Sequence, residues 1–386
     1  MDRHYGLDWL RIGAFGLLIF YHVGMVFVPW DFHVKTSHPA EWVAIPMLAT
    51  NSWRLMLLFV VSGYASRALL LKSGEVGGFV GSRSKRLLIP LLFGMALVVP
   101  LQPWIELMAK HGYAQNFGWF WFHDYFRFGS LDGIILPTWQ HLWFVVYLWL
   151  YTMILAAGIW LARGRSLQGL FDWVFGTVAV VMVPIAWLLV VDLALQGARE
   201  THDLFNDTIA HLHYLPGFLF GFALARSAPA MAAIGRWWKA AAIVAVLNYA
   251  IVAAIEWRWP GSAMPNPPYG YIFATARTVQ GWCAIIALVG VAERFWNHDH
   301  PWRKTLTEAV FPFYIIHQTV IVGVEWILLG QYLPPAAEFA ILVVATIAGC
   351  WAFYLLGREI SWLRPLIGLR AKPARSGGAT VLASQA

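Results

Sequence analysis

Imidazole, guanidinium and carboxylate groups recur inside apolar stretches of this 386-residue chain. An ionisable group there costs roughly 2.5–3.5 kcal/mol on insertion scales, so it faces a partner or a wet cavity. Asp8, Arg11 and His22 share one face of the first stretch. The eleven-residue step from Arg11 to His22 turns about 1100°, roughly 20° past three full turns, and rises roughly 16 Å. Asp8 and Arg11, three apart, can pair. Arg54 and Arg277 lie at similar depth in the second and eighth stretches, and His317 lies near the middle of the ninth. Tyr314 precedes His317 by one turn, and Glu325 follows it by two. His141 opens the fourth stretch beside Trp143, while His211 and His213 open the sixth. Neutral imidazole can take a proton near pH 7 or attack a carbonyl itself. Arginine can stabilise a developing oxyanion or hold a carboxylate through two bonds. The plainer alternatives are a packed polar seam at His22, ion pairs of Arg54 or Arg277 with Glu325, and interfacial histidines at span ends. Several such groups at comparable depth on different helices point instead to one shared polar cavity. No helix face carries two histidines at i,i+4, and Cys283 and Cys350 lie in apolar runs. That pattern offers neither a metal site nor a disulfide framework.

The elements that must position these groups are membrane spans. The chain is 60% hydrophobic and 12% charged, about half the charged share of a soluble domain, with 23 Trp. So few charges cannot coat two or three soluble domains, which excludes a soluble nucleotide-binding enzyme, a disulfide scaffold and a disordered chain. Ten runs are long and apolar enough to cross a bilayer: 7–30, 47–71, 86–107, 140–162, 171–195, 209–226, 237–256, 269–292, 305–329 and 335–357. The first carries Arg11 within it and no small-residue cleavage site, so it reads as a retained span. Loops on the N-terminal side hold nineteen of the 27 Lys and Arg; the opposite loops hold Lys35, Lys110, Arg127, Arg199 and Arg258. The positive-inside rule then places both termini in the cytoplasm. The +7 charge is spread over these loops rather than over a nucleic-acid-binding module. The expected architecture is an all-α polytopic membrane protein of about ten transmembrane helices. Residues 1–370 form one transmembrane domain and 371–386 a disordered tail. A Trp/Phe-rich stretch at 117–122 is expected to lie as a helix in the membrane interface.

Five segments in order carry a family resemblance: GLDWLRIGAFGLLIFYH (6–22), FVVSGY (59–64), RSKRLLIP (83–90), HLWFVVYL (141–148) and FPFYIIHQTVIV (311–322). The chain resembles the acyltransferase-3 family of bacterial inner-membrane proteins, which move acyl groups from cytoplasmic acyl-CoA onto extracytoplasmic glycans. Arg11 and His22 fit that family's arginine, ten residues, histidine signature. The resemblance implies that His22 is catalytic and Arg11 essential beside it. DFHVKTSHPAEW (31–42) and RLMLLFVVSGY (54–64) look most like the glucan biosynthesis protein C branch, which is associated with succinylation of periplasmic glucans.

The expected site therefore has His22, Arg11, Asp8 and His317 in catalytic roles. Arg54, Arg277, His141, Trp143, Tyr314 and Glu325 are expected to bind substrate. Arg67, Arg83, Lys85 and Arg86 are expected to hold the phosphates of succinyl-CoA or acetyl-CoA, a donor substrate rather than a resident cofactor. For that basic turn, orientation alone is a sufficient reading. The resemblance implies a periplasmic glycan as acceptor, bound by the membrane domain or by a partner such as a glucan-synthesis protein, with no nucleic acid. A general base and an acyl-His22 intermediate both fit. The competing readings are an O-acetyltransferase of another surface polysaccharide, a proton-coupled transporter, and a scaffold for a glycan-export complex. No internal repeat of the transporter kind is visible.

Overall fold

Each apolar run is helical in the computed structural model, which describes residues 5–261 and 265–371. Arg3 and the expected tail beyond residue 371, with Lys372 and Arg375, lie outside the described residues. In chain order the helices are α1 Tyr5–Phe27, α2 Ala44–Ser73, α3 Val76–Phe93, α4 Leu101–His111, the short α5 Phe117–Trp119, α6 Trp143–Leu161 and α7 Gln168–Phe175. There follow α8 Ala179–Ala194, α9 Thr208–Leu224, α10 Ala228–Arg258, α11 Pro267–Phe295, α12 Pro301–Leu328, α13 Pro335–Glu359 and the short α14 Leu363–Leu366. The fold is an all-α polytopic membrane protein. Among the described residues seven helices are unbroken spans by length and composition, and two bent pairs bring the count to nine.

Local chemistry explains the breaks. The third run begins earlier than expected, at Val76, passes through a π-helical turn at Gly94–Val98 and bends by 42° into α4. Pro100 precedes α4 and Pro103 lies in its first turn, where a missing N–H is tolerated but a continuous helix is not. The fifth run bends by 98° between α7 and α8. The sixth run, α9, has 17 residues, about 26 Å of helix, which is short for a span. Helix starts are marked in the sequence: Asp207 accepts from the Ala210 N–H at 3.3 Å, and Ser227 from the Ala230 N–H at 3.2 Å.

The Trp/Phe-rich stretch is helical, with Trp119 and Phe122 exposed. It is one short helical segment, α5 continued by a π-turn at Phe120–Asp124. It is pinned inward because Phe120 is buried against Leu107 and Tyr125. Beyond it, β1 Gly129–Leu131 and β2 Ile134–Leu136 form a two-stranded hairpin. Its Asp132-Gly133 turn has positive φ at both residues, the geometry that matches strand twist.

Close helix packing rests on small residues, as expected where lipid supplies no hydrophobic drive. A Cβ at Gly63 of α2 would overlap the Phe218 carbonyl of α9, and one at Gly221 would overlap the Val60 carbonyl of α2. The outward faces carry exposed Leu92, Leu97, Val190, Ile243, Val246, Leu247 and Val344, a surface made for acyl chains.

Candidate active site

A cavity of about 1060 Å³ opens at the end of the bundle opposite Tyr5, between α1, α2, α6, α12 and three loops. His22, Arg54, His141, Trp143 and Tyr314 of the expected residues line it, together with Tyr21, His33, Asn51, Glu106, Glu200, His202 and Gln318. His317 stands directly behind His22, with its Nε2 2.9 Å from the Nδ1 of His22.

Hydrogen bonding fixes the tautomers of this pair. The Nδ1 of His317 lies 2.8 Å from the Tyr314 carbonyl, which can only accept, so that nitrogen carries the hydrogen. In the neutral ring Nε2 then holds a lone pair and accepts from the Nδ1–H of His22. The Nε2 of His22 is left unprotonated. An imidazole held this way is a ready base or nucleophile, because its second nitrogen is oriented by a partner.

The other cavity histidines are occupied. His141 donates from Nε2 to the Tyr314 and Ile315 carbonyls, each at 3.1 Å, and its Nδ1 lies 3.3 Å from the Gln102 amide nitrogen. The Tyr314 hydroxyl in turn donates to the His141 carbonyl. Gln102 also donates to Thr319 at 2.7 Å and accepts from Gln318 at 3.1 Å. Gln318 donates to the Nε2 of His33 at 2.9 Å, and His33 donates from Nδ1 to Glu106 at 2.6 Å. This wall ties α4, α6 and α12 to the 28–40 loop, and buried polar networks satisfied in this way rigidify a site. His202 stacks on Trp143, with ring centroids 4.2 Å apart and planes 10° from parallel. Lys35 in the same 28–40 loop donates to the Met25, Val28 and Trp30 carbonyls, closing the C-terminus of the helix that carries His22.

Arg54 is the exception to that satisfaction. It is 3% exposed and lies over the Tyr21 ring at 3.6 Å, and its Nε and Nη1 make no hydrogen bond among the described residues.

Three expectations are corrected by these positions. Arg277 does not line the cavity; it bonds the Asn51 side-chain oxygen at 2.5 Å, on the far side of Asn51. Glu325 joins neither arginine. It is fully buried against Glu338 of α13, which also accepts from Thr36 at 2.8 Å. Asp8 makes its 2.7 Å ion pair with Arg303 of α12, near the start of α1 and away from the cavity. His211 and His213 sit in a separate cluster, against Tyr151 at 3.0 Å and Asp192 at 3.0 Å.

At the Tyr5 end the expected phosphate-binding arginines divide into two groups. Arg83 is buried, bonds Ser66 at 3.2 Å, and lies within electrostatic reach of Arg86 and Arg11. The Nε atoms of Arg11 and Arg83 have no hydrogen-bond partner among the described residues. Lys85 is exposed. Arg67 stands apart, over the Phe222 ring at 4.7 Å, with Arg226 as its charged neighbour.

Residues 4–355 match the family described as the acyltransferase domain, nearly the whole chain. The chain belongs to the acyltransferase-3 family. Glucans biosynthesis protein C of Escherichia coli (strain SMS-3-5 / SECEC) is 29% identical over 147 residues. The protein of the same name from Shigella boydii serotype 4 (strain Sb227) is 28% identical over 147 residues. In both cases the match covers 38% of this chain and 36% of the relative. No solved structure matches.

In this chain the two residues of the family's arginine–histidine spacing, Arg11 and His22, lie on one face of α1 but point to different ends of the bundle. His22 reaches the cavity, and Arg11 stays with the arginines at the other end. Sequence reading passed over Tyr21, Asn51, His33, Gln102, Glu106 and Gln318. The visible signal was amide side chains in apolar helices: Gln102 is fully buried and Gln318 is 4% exposed.

Proposed function

We propose that this acyltransferase moves a short acyl group from acyl-CoA to a hydroxyl of a glycan, with His22 as general base. The observation that carries the reading is the free Nε2 of His22, held toward the cavity by His317. A hydroxyl entering from the cavity mouth gives its proton to that nitrogen as its oxygen bonds the thioester carbon. The carbon–sulfur bond breaks, and the departing sulfur takes the proton from the imidazolium to leave as coenzyme A thiol. His317 accepts from Nδ1 of His22 throughout and stabilises the transient cation.

The donor side of the proposal rests on Arg11, Arg83 and Arg86. Arg11 and Arg83 keep buried Nε–H donors without a partner among the described residues, and with the exposed Arg86 within electrostatic reach this cluster is suited to the phosphates of coenzyme A. The basic loops favour this end as the cytoplasmic one, in an inner membrane, and the helix rise of roughly 16 Å from Arg11 to His22 is a distance for the pantetheine arm to bridge. The acceptor is a periplasmic glycan, by analogy with relatives named for glucan biosynthesis.

The preferred acyl group is succinyl. Arg54 is the arginine at the cavity, and its Nε–H and Nη1–H donors, without a partner among the described residues, leave a guanidinium cation that an acyl carboxylate can neutralise. Purified protein given succinyl-CoA or acetyl-CoA with a glucose oligosaccharide should release thiol faster with succinyl-CoA. Arg54→Gln should narrow that preference while sparing acetyl transfer. Equal or better use of acetyl-CoA by the wild type would remove the anionic-acyl assignment. Thiol release unchanged in His22→Ala would remove the base assignment.

A further inference from the structure

We infer that Tyr21 is a catalytic residue whose hydroxyl donates to the oxyanion formed at the thioester carbonyl, and that Asn51 and Arg277 are positioning residues that keep its proton free. The inference rests on the acyl-transfer reading above and adds the group that answers the developing negative charge.

Hydrogen-bond direction decides which atom of Asn51 faces Tyr21. Arg277 has only donors, so the Asn51 atom 2.5 Å from its Nη2 must be the amide oxygen. This fixes the flip of the amide, which contacts alone leave open. The Asn51 nitrogen then faces Tyr21, 2.6 Å from the phenol oxygen, and an amide nitrogen can only donate. The phenol oxygen therefore accepts, and its own proton is not used in that bond. Among the described residues no side chain or carbonyl takes it, and Tyr21 lines the cavity. Arg54, 3.6 Å over the ring face, draws on its electrons and strengthens the O–H as a donor.

Position agrees with this role. Tyr21 and His22 both line the cavity, with ring centroids 6.0 Å apart and planes near perpendicular. A carbonyl whose carbon is approached beside the Nε2 of His22 can direct its oxygen to the phenol. As the hydroxyl oxygen bonds the carbon and its proton passes to His22, the carbonyl electron pair moves onto oxygen and is met by the Tyr21 hydrogen bond. The pair returns as the carbon–sulfur bond breaks. Tyr21 gives a hydrogen bond and transfers no proton. Arg277, first read as a substrate ligand, thus acts at two removes.

The decisive variant is Asn51→Asp, which keeps size and the bond from Arg277 but replaces the donor with an acceptor. The carboxylate takes the Tyr21 proton and turns it away from the cavity. With purified full-length protein, succinyl-CoA and a glucose oligosaccharide, Tyr21→Phe should lower kcat by roughly 10²–10³-fold, the usual loss of one oxyanion donor. The KM for succinyl-CoA should stay within about twofold, because the bond is made only in the transition state. Asn51→Asp should lose nearly as much with Tyr21 intact, and the double variant should lose no more than Tyr21→Phe. Wild-type kcat in either single variant, or multiplicative losses in the double variant, would overturn the inference. Thiol release absent from the wild type would instead bring down the acyl-transfer reading, and this inference with it.

Discussion

The cavity wall and the Tyr5 end treat buried polar groups differently. At the wall, His33, Gln102, Gln318, His141 and His317 each find partners of the right donor or acceptor type. At the Tyr5 end Arg11 and Arg83 keep Nε–H groups with no partner among the described residues. Arg303 at the same end is paired with both Asp8 and Asp299 at 2.7 Å, so pairing was available there. A satisfied network holds one arrangement and suits chemistry. An unsatisfied cationic cluster is costly until an anion arrives and suits binding. Arg54 brings the second character into the first region, at the point assigned to the acyl carboxylate.

The largest effect should come from breaking the wall at its free nitrogen. His22→Ala removes the base, with an expected loss of roughly 10²–10⁴-fold in kcat and no loss of fold. Steady-state thiol release, alongside a monodisperse profile in detergent, checks it. His317→Phe removes the acceptor that fixes the His22 tautomer while keeping a ring in place. Groups that orient a reacting imidazole are typically worth on the order of 10–100-fold, so kcat should fall by that amount with KM little changed. A wild-type kcat in this variant would mean that the tautomer needs no holding.

At the Tyr5 end the same measurement should divide the other way. Arg83→Ala and Arg86→Ala remove contacts to the remote nucleotide, which binds equally in ground and transition states. A charge-assisted bond is worth about 1.5–3 kcal/mol, so KM for the thioester should rise roughly 10–100-fold with kcat nearly constant. A dephospho-coenzyme A thioester should blunt the effect of at least one variant. Losses confined to kcat would place these arginines in folding or topology and erase the contrast between the regions.

The features that sequence could carry were local ones. Run length and composition located the apolar helices but expected about ten spans, where the described residues hold seven, or nine with the two bent pairs, and the Arg11–His22 spacing put both residues on one face of α1. What escaped depended on contacts far apart in sequence. Asn51 meets Arg277 across 226 positions, and His22 meets His317 across 295, so no periodicity could pair them. Similar depth suggested that Arg277 and Glu325 shared the cavity, but depth does not fix helix rotation. Asn51 and Glu338 capture them instead. The bend between α7 and α8 was equally hidden, because both halves are apolar and the run looks continuous.

The smallest expected effect concerns the loop that joins the two halves of the cavity wall. Lys35 lies outside the spans, and burial lowers its pKa from 10.5 to about 8 while it donates to three carbonyls beyond His22. Below pH 8 the ammonium is charged in both folded and unfolded chains, and the folded state carries the full cost of burying it. Between pH 8 and 10.5 the folded chain has released the proton and the unfolded chain has not. Stability contributed by this group therefore rises with pH across that window. The neutral amine still has two N–H donors, so most of its bonds to the Met25, Val28 and Trp30 carbonyls survive the change. Lys35→Met removes both the donors and the titration. Melting temperatures in detergent, taken for both proteins from pH 7 to 10, should diverge as pH rises, with the wild type gaining on the variant. Parallel curves would show that the Lys35 amine titrates alike in folded and unfolded chains, and a constant offset between them would report the bonds to the three carbonyls alone.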